Sequence, residues 1–452
     1  MKFTLNYDKK FLPVRKELDR FRENVLKEEN LTAKFVIERN GGFNYVFSER
    51  IFKDESKKEE NYRITERLVK SALWIAGGYK IYVCAPDYLY KMFKLDYSSQ
   101  GKRKFDHDFM SKVYEKPFEV VSVSENELPK ERKCSLDIGG HLDGCRIGFD
   151  AGGSDRKVSA VINGKVVYSE EVVWNPKLSD DWHYQYDGIM DSMKRAASKM
   201  PRVDAIGVSS AGVYVDDKIM VASLFMKIPS SDYEAHVKNM YVDIGKKMGA
   251  PLKVANDGDV TALAGAITLK SDCVLGIAMG TSEAGGYINR EGKLNDWLSE
   301  LAFVPVDLSD EAMVDEWSGD KGVGVKYFSQ DGIIKLAGFA GFKFDGGLTP
   351  AQKLKVVQKM LENGNLEAEK IYEDVGTYLG YSVAYYSEFY EIKNLLLLGR
   401  VTSGKGGQII IDRAKTVLSE EYPELAHIKI SLPDEEFKRV GQSIAAASLT
   451  KI

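Results

Sequence analysis

The sequence predicts an α/β protein with two related lobes, preceded by a smaller α/β segment. Two observations predict this fold class. Strands and helices alternate from residue 145 onward after an initial hairpin, which favours a mixed sheet covered on both faces. The hairpin pattern then recurs about 128 residues later, which indicates a second lobe and therefore a cleft.

The composition indicates a folded, enzyme-sized protein. The chain has 452 residues, of which 44% are hydrophobic and 29% charged. A net charge of −4 gives no field that would attract a polyanion, so nucleic acid is not an expected partner. The four cysteines form no C-x-x-C pair, and no apolar run approaches a membrane span. These features predict a reducing, cytoplasmic location, with neither a disulfide framework nor a structural zinc.

The first 140 residues predict a small α/β unit. "TAKFVIER" and "FNYVFSERIF" are joined across paired glycines, which predicts a hairpin, while "RITERLVKSALWIAG" has helical spacing. "FDHDF" at 105–109 could be a ligand cluster, although a solvated or capping group is the simpler interpretation. The charged stretch "SENELPKERKCSLDIGGHLDG" then indicates a connector, which places a boundary near residue 140.

The first lobe begins with three predicted strands, "RIGFD", "KVSAVI" and "KVVYSEEVV". Helices are predicted near 186–200 and 232–248, with strands at "VDAIGVSS" and "PLKVAND". The second lobe contains a helix near 366–391, and the continuous apolar run "NLLLLGRV" predicts a central strand. A C-terminal helix is expected over 434–448, with Asp434 as N-cap and Phe437, Val440 and Ile444 on its buried face.

The two hairpins share a pattern of small residues at their turns. "CRIGFDAGGSDRKVSAVINGKVV" and "CVLGIAMGTSEAGGYINREGKL" align Cys on Cys, Gly on Gly and Ser on Ser. Backbone N–H groups can reach a phosphate only where side chains are small. The candidate phosphate loops are Gly152-Gly153-Ser154 and Gly280-Thr281-Ser282. Each loop could equally be a plain hairpin turn with glycine at positive φ.

Charged residues beside the first loop would complete a nucleotide site. Asp150 offers a hard oxygen to Mg²⁺, directly or through water, and Arg156 and Lys157 add positive charge. Other nucleotide-binding patterns are absent, since the chain has neither G-x-x-x-x-G-K-[ST] nor a G-x-G-x-x-G between a strand and a helix. The five histidines never form H-E-x-x-H, the spacing of many zinc hydrolases.

The segment "PLKVANDGDVTALAGA" (251–266) is the strongest catalytic candidate. A short strand ends on Asn256 and Asp257, and a helix of small residues follows. A carboxylate at a strand end is suited to take a proton from a hydroxyl nucleophile, with the neighbouring Asn orienting the acceptor. The alternative is an Asn-Asp turn in which Asp259 caps the helix.

Together these motifs resemble the ROK family of sugar kinases and sugar-responsive repressors, a branch of the actin-like ATPase superfamily. "IGFDAGGSDRKVSAVINGKVV" and "LGIAMGTSEAGGYINREGKL" look like the family's two phosphate motifs, and "VANDGDVTALAGA" looks like its catalytic segment. "LLLLGRVTSGKGG" is similar to its glycine-rich adenosine segment. The order and spacing match across roughly 145–452.

The resemblance implies two actin-like (ribonuclease H-like) lobes around a nucleotide cleft. The first lobe would span 145–256, with the helix 434–448 packing back on it, and the second lobe would span 257–433; residues 1–140 form an extension without a family counterpart. ATP and Mg²⁺ would lie between the lobes, and Asp257 would be the base that activates a substrate hydroxyl. Implied nucleotide contacts include Gly399 and Gly404, and implied substrate contacts are Asn256, Glu300, Ala211 and Gly212.

The departures from the family pattern concern the substrate. "KLNDWLSELAF" reaches Glu300 about four residues sooner than usual and has Ala302-Phe303 where Gly-His would fall. "VPVDLSDEAMVDEW" replaces the family's zinc cluster and has no Cys or His, so no zinc is expected. "SSAGVYVDD" carries Ala211 in place of the family's Pro, which leaves glucose specificity open.

The leading hypothesis is therefore an ATP-dependent carbohydrate kinase that phosphorylates a hydroxyl of a sugar or sugar-like molecule. The main alternative is a non-catalytic, sugar-sensing regulator of the same fold. A partner-activating ATPase is disfavoured because no cysteine pair suits an iron–sulfur cluster. The expected partner is a small molecule rather than a membrane or nucleic acid, and a homodimer is one open outcome for the assembly.

Overall fold

The structure is a computed structural model that describes residues 2–133, 137–433 and 441–452. The chain divides into two compact units. Unit 1 comprises Met1–Cys134, Ile277–Gly285 and Trp297–Leu432, and unit 2 comprises Ser135–Gly276, Gly286–Asp296 and Pro433–Ile452. The N-terminal extension thus belongs to the same unit as residues 297–432. The three-part division predicted from the sequence stays a prediction.

Helices and strands alternate along most of the chain. The helices are α1 (Val14–Val25), α2 (Lys58–Ala76), α3 (Asp87–Asp96), α4 (Lys104–Tyr114), α5 (Trp182–Ala197), α6 (Ser230–Asp232), α7 (Met240–Met248), α8 (Asp257–Leu269), α9 (Gln330–Phe339), α10 (Pro350–Glu362), α11 (Leu366–Tyr386), α12 (Lys405–Glu421) and α13 (Gln442–Ala447). The strands are β1 (Asn30–Glu38), β2 (Asn44–Phe52), β3 (Lys80–Cys84), β4 (Glu119–Ser122), β5 (Cys145–Ala151), β6 (Asp155–Ile162), β7 (Lys165–Val173), β8 (Ala205–Ser210), β9 (Val213–Val215), β10 (Lys218–Val221), β11 (Leu252–Asn256), β12 (Val274–Met279), β13 (Glu283–Ile288), β14 (Asn394–Leu398) and β15 (Lys429–Ser431).

The N-terminal extension builds a four-stranded sheet in the order β2-β1-β3-β4. The predicted hairpin across the paired glycines is confirmed, because β1 and β2 pair antiparallel in continuous register. Gly41 and Gly42 both adopt positive φ at this turn, which glycine tolerates without steric cost. The long predicted helix is α2, and most of its residues are buried, including the aromatic side chain of Trp74.

Unit 2 contains a five-stranded sheet in the order β11-β8-β5-β6-β7. The strands β5, β8 and β11 run parallel, while β6 and β7 add an antiparallel meander to one edge. The predicted opening strands and the alternation of strands and helices are confirmed. The parallel arrangement matters for function, because the carboxyl ends of β5, β8 and β11 lie side by side at one edge of the sheet.

The helix α13 lies against β5 and β8 at very short range. Gly148 and Gly207 are register partners on these two strands, so together they leave a flat patch without side chains. A Cβ atom at Gly207 would lie 1.6 Å from the carbonyl oxygen of Ala446, and one at Gly148 would lie 1.9 Å from that of Ser443. The residues 434–440, including the predicted cap and two residues of the predicted buried face, lie outside the described residues.

This close approach makes Gly207 sensitive to substitution. We expect Gly207→Ala to lower the free energy of unfolding by about 1–3 kcal/mol, because the added methyl group overpacks the contact with α13. Urea denaturation would measure the change. Gly338→Ala is the matched control: its Cβ atom would meet nothing within 4 Å, so this change should be neutral or slightly stabilising. Equal effects of the two substitutions would contradict the packing argument.

A further sheet has the order β13-β12-β14-β15, and α11 and α12 pack closely in unit 1. A Cβ atom at Gly380 of α11 would lie 2.5 Å from the Cβ atom of Val417 on α12, so the glycine lets the two helices approach. None of the helices in the described ranges is long and apolar enough to cross a membrane.

Three details differ from the sequence-based predictions. The helix expected near 232–248 is interrupted, because a wider π turn over Tyr233–Val237 separates α6 from α7. The helix α11 ends at Tyr386 rather than near 391, where hydrogen bonds such as that from the N–H of Phe389 to the carbonyl of Tyr386 tighten the chain into a turn. Asp259 does not cap α8, because the helix already begins at Asp257.

Candidate active site

Three polar positions meet at the carboxyl ends of the parallel strands of unit 2. Asp150 near the end of β5 is the register partner of Ser209 on β8, and Asn256 at the end of β11 is the partner of Ser210. Asp257 follows directly as the first residue of α8. The carboxyl ends of parallel strands are where open α/β sheets bind their ligands. The predicted metal residue and the predicted base thus belong to one edge of one sheet.

Asp150 is a partly buried carboxylate with an oriented oxygen. Its Oδ1 accepts a hydrogen bond from the hydroxyl of Ser209 at 2.7 Å. Burial and the nearby charge of Asp257 raise the pKa of Asp150 to about 6, against the opposing effects of Ser209 and Lys157. The carboxylate therefore carries unfavourable electrostatic energy at neutral pH, which a bound cation would relieve.

Asn256 fixes the start of α8 rather than offering a free amide. Its Oδ1 accepts from the N–H of Gly258 at 2.7 Å, which caps the helix, and its Nδ2 donates to the carbonyl of Gly212 at 2.7 Å. The second hydrogen bond connects the turn of Ala211 and Gly212 to the start of α8. Gly212 has φ +142°, and a Cβ atom there would lie 2.5 Å from the carbonyl of Val221, so only glycine suits this turn.

The carboxylate of Asp257 is held at the N-terminus of α8. Burial raises the pKa of Asp257, while the N–H of Gly258 and the charge of Lys177 act in the opposite direction. Tyr214 lies near enough for the Asp257 charge to help raise the pKa of its hydroxyl, together with burial and Tyr241. A base with a raised pKa binds a proton more firmly, which suits it to accept one from a hydroxyl group.

The first glycine loop is held by Trp174. The indole N–H donates to the carbonyl of Gly152 at 2.7 Å, and the backbone N–H of Trp174 donates to the carbonyl of Ser154 at 3.1 Å. Gly153 is exposed, and a Cβ atom on it would lie 3.3 Å from Cε of Lys177. Lys177 therefore lies beside the loop as well as acting on Asp257. Sequence reasoning missed it, because a lone lysine after a hairpin carries no local signal.

The two predicted basic residues after the loop have different surroundings. Lys157 lies on β6, 3.8 Å from Asp155 and 3.7 Å from Glu171, and its charge acts on Asp150. Arg156 is directed toward α5, since its Nε donates to Ser192 at 2.9 Å and its guanidinium lies over the ring of Trp174. Of the two, only Lys157 is placed to act on the Asp150 end of the site.

Unit 1 carries the second glycine loop and the predicted adenosine segment. The turn of Gly280, Thr281 and Ser282 joins the neighbouring strands β12 and β13, and Arg400 donates to the hydroxyl of Thr281 at 3.2 Å. Gly399 adopts φ +93°, and a Cβ atom there would lie 2.3 Å from the carbonyl of Met279. Gly404 adopts φ +66° at the N-cap of α12. Within unit 1, Arg400 is a cation beside this loop that the sequence argument did not single out.

Glu300 is held by the N-terminal extension. The N–H of Glu300 donates to the carbonyl of Trp74 at 3.0 Å, and the N–H of Ser299 donates to that of Ile75 at 2.9 Å. The ring of Phe303 packs on that of Trp74, with centroids 4.3 Å apart. The end of α2 thus supports the segment that carries Glu300, and Phe303 is part of that support.

The carboxylates at the strand ends supply part of what a Mg²⁺ site requires. Mg²⁺ is usually bound through one or two carboxylates together with phosphate oxygens. Neither Asp150 nor Asp257 forms a salt bridge within the described part of the chain, and their charges repel each other. The same part of the chain has no group of three or more His, Cys, Asp or Glu side chains that could hold a metal unaided. The donor set fits a magnesium ion that arrives with a nucleotide.

Solved structures show which proteins share this fold. A ROK hexokinase from Thermus thermophilus superposes with a TM-score of 0.53 at 15% identity, covering 68% of this chain and 97% of its own. A ROK family transcriptional regulator, described as a homolog of the E. coli MLC protein, also has a TM-score of 0.53, at 14% identity and with coverage of 68% and 78%. No family model matches the chain, and no curated protein matches it in sequence.

The protein therefore has the actin-like ATPase fold of the ROK kinases, as its motifs predicted. At these identities the likeness shows the fold alone. A kinase and a regulator match equally well, so the choice between catalysis and regulation depends on the residues of the site.

Proposed function

We propose that the protein is an ATP-dependent kinase that phosphorylates a hydroxyl of a sugar or sugar-like small molecule, with Asp257 as general base. The observation that carries this proposal is that Asp257 lies close enough to Asp150 for its negative charge to raise the pKa of Asp150, at the carboxyl ends of three parallel strands. A regulator that only senses a sugar has no need of a second, repelling carboxylate beside the first.

In the proposed reaction, Asp257 accepts the proton of the acceptor hydroxyl while that oxygen attacks the γ-phosphorus of ATP. A new oxygen–phosphorus bond forms, the bond from the γ-phosphorus to the bridging oxygen breaks, and ADP leaves with that electron pair. Such transfers depend mainly on positioning and on neutralising charge. Mg²⁺, when bound, supplies positive charge to the phosphate oxygens, and Asp150 is the residue that would hold it, directly or through water.

The remaining predicted residues have supporting roles in this proposal. The loop of Gly152, Gly153 and Ser154 offers backbone N–H groups to phosphate, and Lys177 adds the positive charge next to it. Gly280, Thr281, Ser282, Gly399 and Gly404 are proposed nucleotide contacts. Asn256 positions the turn of Ala211 and Gly212 against the base, and Glu300 is the proposed acceptor for a substrate hydroxyl.

The test is ADP release from ATP and Mg²⁺ over a panel of hexoses, amino sugars, polyols and glycosides. We expect at least one acceptor to stimulate release in the wild-type protein and not in Asp257→Asn. Binding of a panel member without any phosphorylated product would instead favour the second candidate, a sugar-sensing regulator, for which the fold shared with a ROK regulator is the supporting observation.

The raised pKa of Asp150 predicts the effect of pH on stability. A carboxyl whose pKa rises from 3.8 to about 6 on folding costs stability as the pH increases through that range. Asp150→Asn removes this cost, so we expect it to raise the melting temperature at pH 8 and to match the wild type near pH 4. Thermal denaturation across this range would measure the difference. A variant less stable than the wild type at pH 8 would contradict the prediction.

The same substitution should weaken activity. Loss of the Asp150 carboxylate is expected to reduce the apparent affinity for Mg²⁺ by about 10- to 100-fold, the range seen when a supporting carboxylate of a metal site is lost. In the wild type, activity should decline as the pH falls below about 6, because Asp150 then becomes protonated. Titration of ADP release with Mg²⁺ at fixed ATP checks the first expectation, and a pH profile checks the second.

A further inference from the structure

Glu283 is a buried carboxylate without a hydrogen-bond partner. It is the first residue of β13, its exposed fraction is 3%, and neither of its carboxylate oxygens has a partner among the described residues. Burying an ionised carboxylate without a partner is among the most unfavourable arrangements in a protein interior. The residue therefore needs either a proton or a ligand that balances its charge.

Further oxygen atoms lie close to the carboxylate of Glu283. A Cβ atom at Gly324 would lie 2.2 Å from Oε2 of Glu283 and 2.6 Å from the carbonyl oxygen of Leu301, so both oxygens adjoin the same position. The hydroxyl of Tyr386 is fully buried and also lacks a partner within the described residues. The charge of Glu283 helps raise the pKa of that hydroxyl, which places the two groups near each other.

The charged group that acts on Glu283 is also negative. Glu300 is the charged neighbour that acts on Glu283, and together with burial it raises the pKa of Glu283 well above its usual range. Among the described residues no basic side chain acts on this carboxylate. The nearby chain does contain a buried lysine, Lys326, but its ammonium group is engaged by Glu316 and by Asp331 at 2.9 Å.

We infer that Glu283, together with the carbonyl of Leu301 and the hydroxyl of Tyr386, binds a hard metal cation. Carboxylate, carbonyl and hydroxyl oxygens are the donors such cations prefer, and they suit neither zinc nor copper. Because Glu283 is the one carboxylate among these proposed ligands, the site favours Na⁺, K⁺ or a partly hydrated Mg²⁺ over a fully caged Ca²⁺. The cation would stabilise the segment that carries Glu300. This inference does not depend on the proposed kinase activity.

The experiment begins with full-length protein that is freed of divalent metals by a chelator and then dialysed into a buffer without Na⁺ or K⁺. Thermal denaturation is followed while Na⁺, K⁺, Mg²⁺ or Ca²⁺ is added as the chloride, with ionic strength held constant by choline chloride. We expect at least one cation to raise the melting temperature, with a shift that grows with the logarithm of its concentration. Glu283→Gln should weaken this response at least about tenfold in concentration.

Two controls separate this site from others. Glu291→Gln, at an exposed glutamate, should keep the full response. Asp150→Asn removes Mg²⁺ binding at the candidate active site. The part of the cation response that remains in this variant should be the part that Glu283→Gln weakens. Equilibrium dialysis followed by elemental analysis gives a second readout that does not depend on unfolding, and should find about one ion per chain in the wild type and none in Glu283→Gln.

Two results would overturn the inference. The first is a wild-type protein whose melting temperature and metal content do not respond to any of the four cations. The second is a response that Glu283→Gln retains in full. If cations have no effect while stability increases on acidification and Glu283→Leu is more stable than the wild type, then Glu283 holds a proton in place of a cation.

Discussion

Asp257→Asn is expected to reduce phosphoryl transfer by about 10²- to 10⁴-fold, the range that a general base contributes. The amide cannot accept the proton of the acceptor hydroxyl, yet it keeps the size of the side chain at the start of α8. Nucleotide binding should stay within a few-fold of the wild type, because the phosphate loop and Asp150 are unchanged. ADP release with the acceptor found in the panel, and calorimetric titration with ATP, would measure the two quantities.

The matched control is Asp259→Asn on the same helix. Its Oδ1 accepts from the backbone N–H of Tyr287 at 3.3 Å, and an asparagine oxygen can accept the same bond. We expect near wild-type turnover from this variant. Wild-type turnover by Asp257→Asn would show that the base is a different residue, and an equal loss in both variants would show that the helix rather than one carboxylate is responsible.

Lys70→Met is expected to lower the free energy of unfolding by roughly 3–5 kcal/mol, the usual effect of breaking a buried ion pair. Lys70 is completely buried, and its Nζ lies 2.8 Å from Asp106 and 3.2 Å from Asp320. Removal of the ammonium group leaves Asp106 with no other cation among its described salt bridges, whereas Asp320 keeps Arg67 and Arg103. Urea denaturation followed by circular dichroism would measure the loss.

Lys53→Met provides the comparison, because its side chain is 64% exposed and lies 3.0 Å from Glu29, which is 81% exposed. An exposed pair of this kind contributes little, so the change should stay within about 0.5 kcal/mol. The double substitution Lys70→Met with Asp106→Asn should recover part of the stability, since the stranded carboxylate is then neutral. Equal losses for Lys70→Met and Lys53→Met would show that the buried network is not important for stability.

This network also explains a residue pattern that the sequence left ambiguous. "FDHDF" favoured a solvated or capping group, yet Asp106 is 2% exposed and accepts from Lys70 and from the indole of Trp74. Both partners lie more than 30 residues away along the chain. A short motif carries no information on such partners, so burial of the carboxylate could not be predicted from it.

The strand ends were the part of the site that local sequence could predict. An apolar run that stops at Asp150 or at Asn256 and Asp257 marks a buried strand followed by polar chemistry, and glycines beside it allow a close backbone approach. Lys177 and Arg400 could not be predicted in this way, because a single basic residue in a loop has many possible surroundings. The substrate contact of Asn256 stays a prediction, and the hydrogen bonds of its amide with Gly258 and Gly212 could not be predicted from local sequence.

Local sequence patterns sufficed to predict the α/β class and the two glycine hairpins, because periodicity and turn chemistry are local properties; Asp257 as the base stays a prediction. The effect of the Asp257 charge on Asp150 depends on the tertiary structure, through the parallel register of β5, β8 and β11. The tertiary structure also places the end of α2 in contact with the backbone of Glu300, and it buries Glu283 within reach of the Glu300 charge. These contacts join residues that are distant in the chain, and their energies depend on burial and distance, which a linear sequence does not contain.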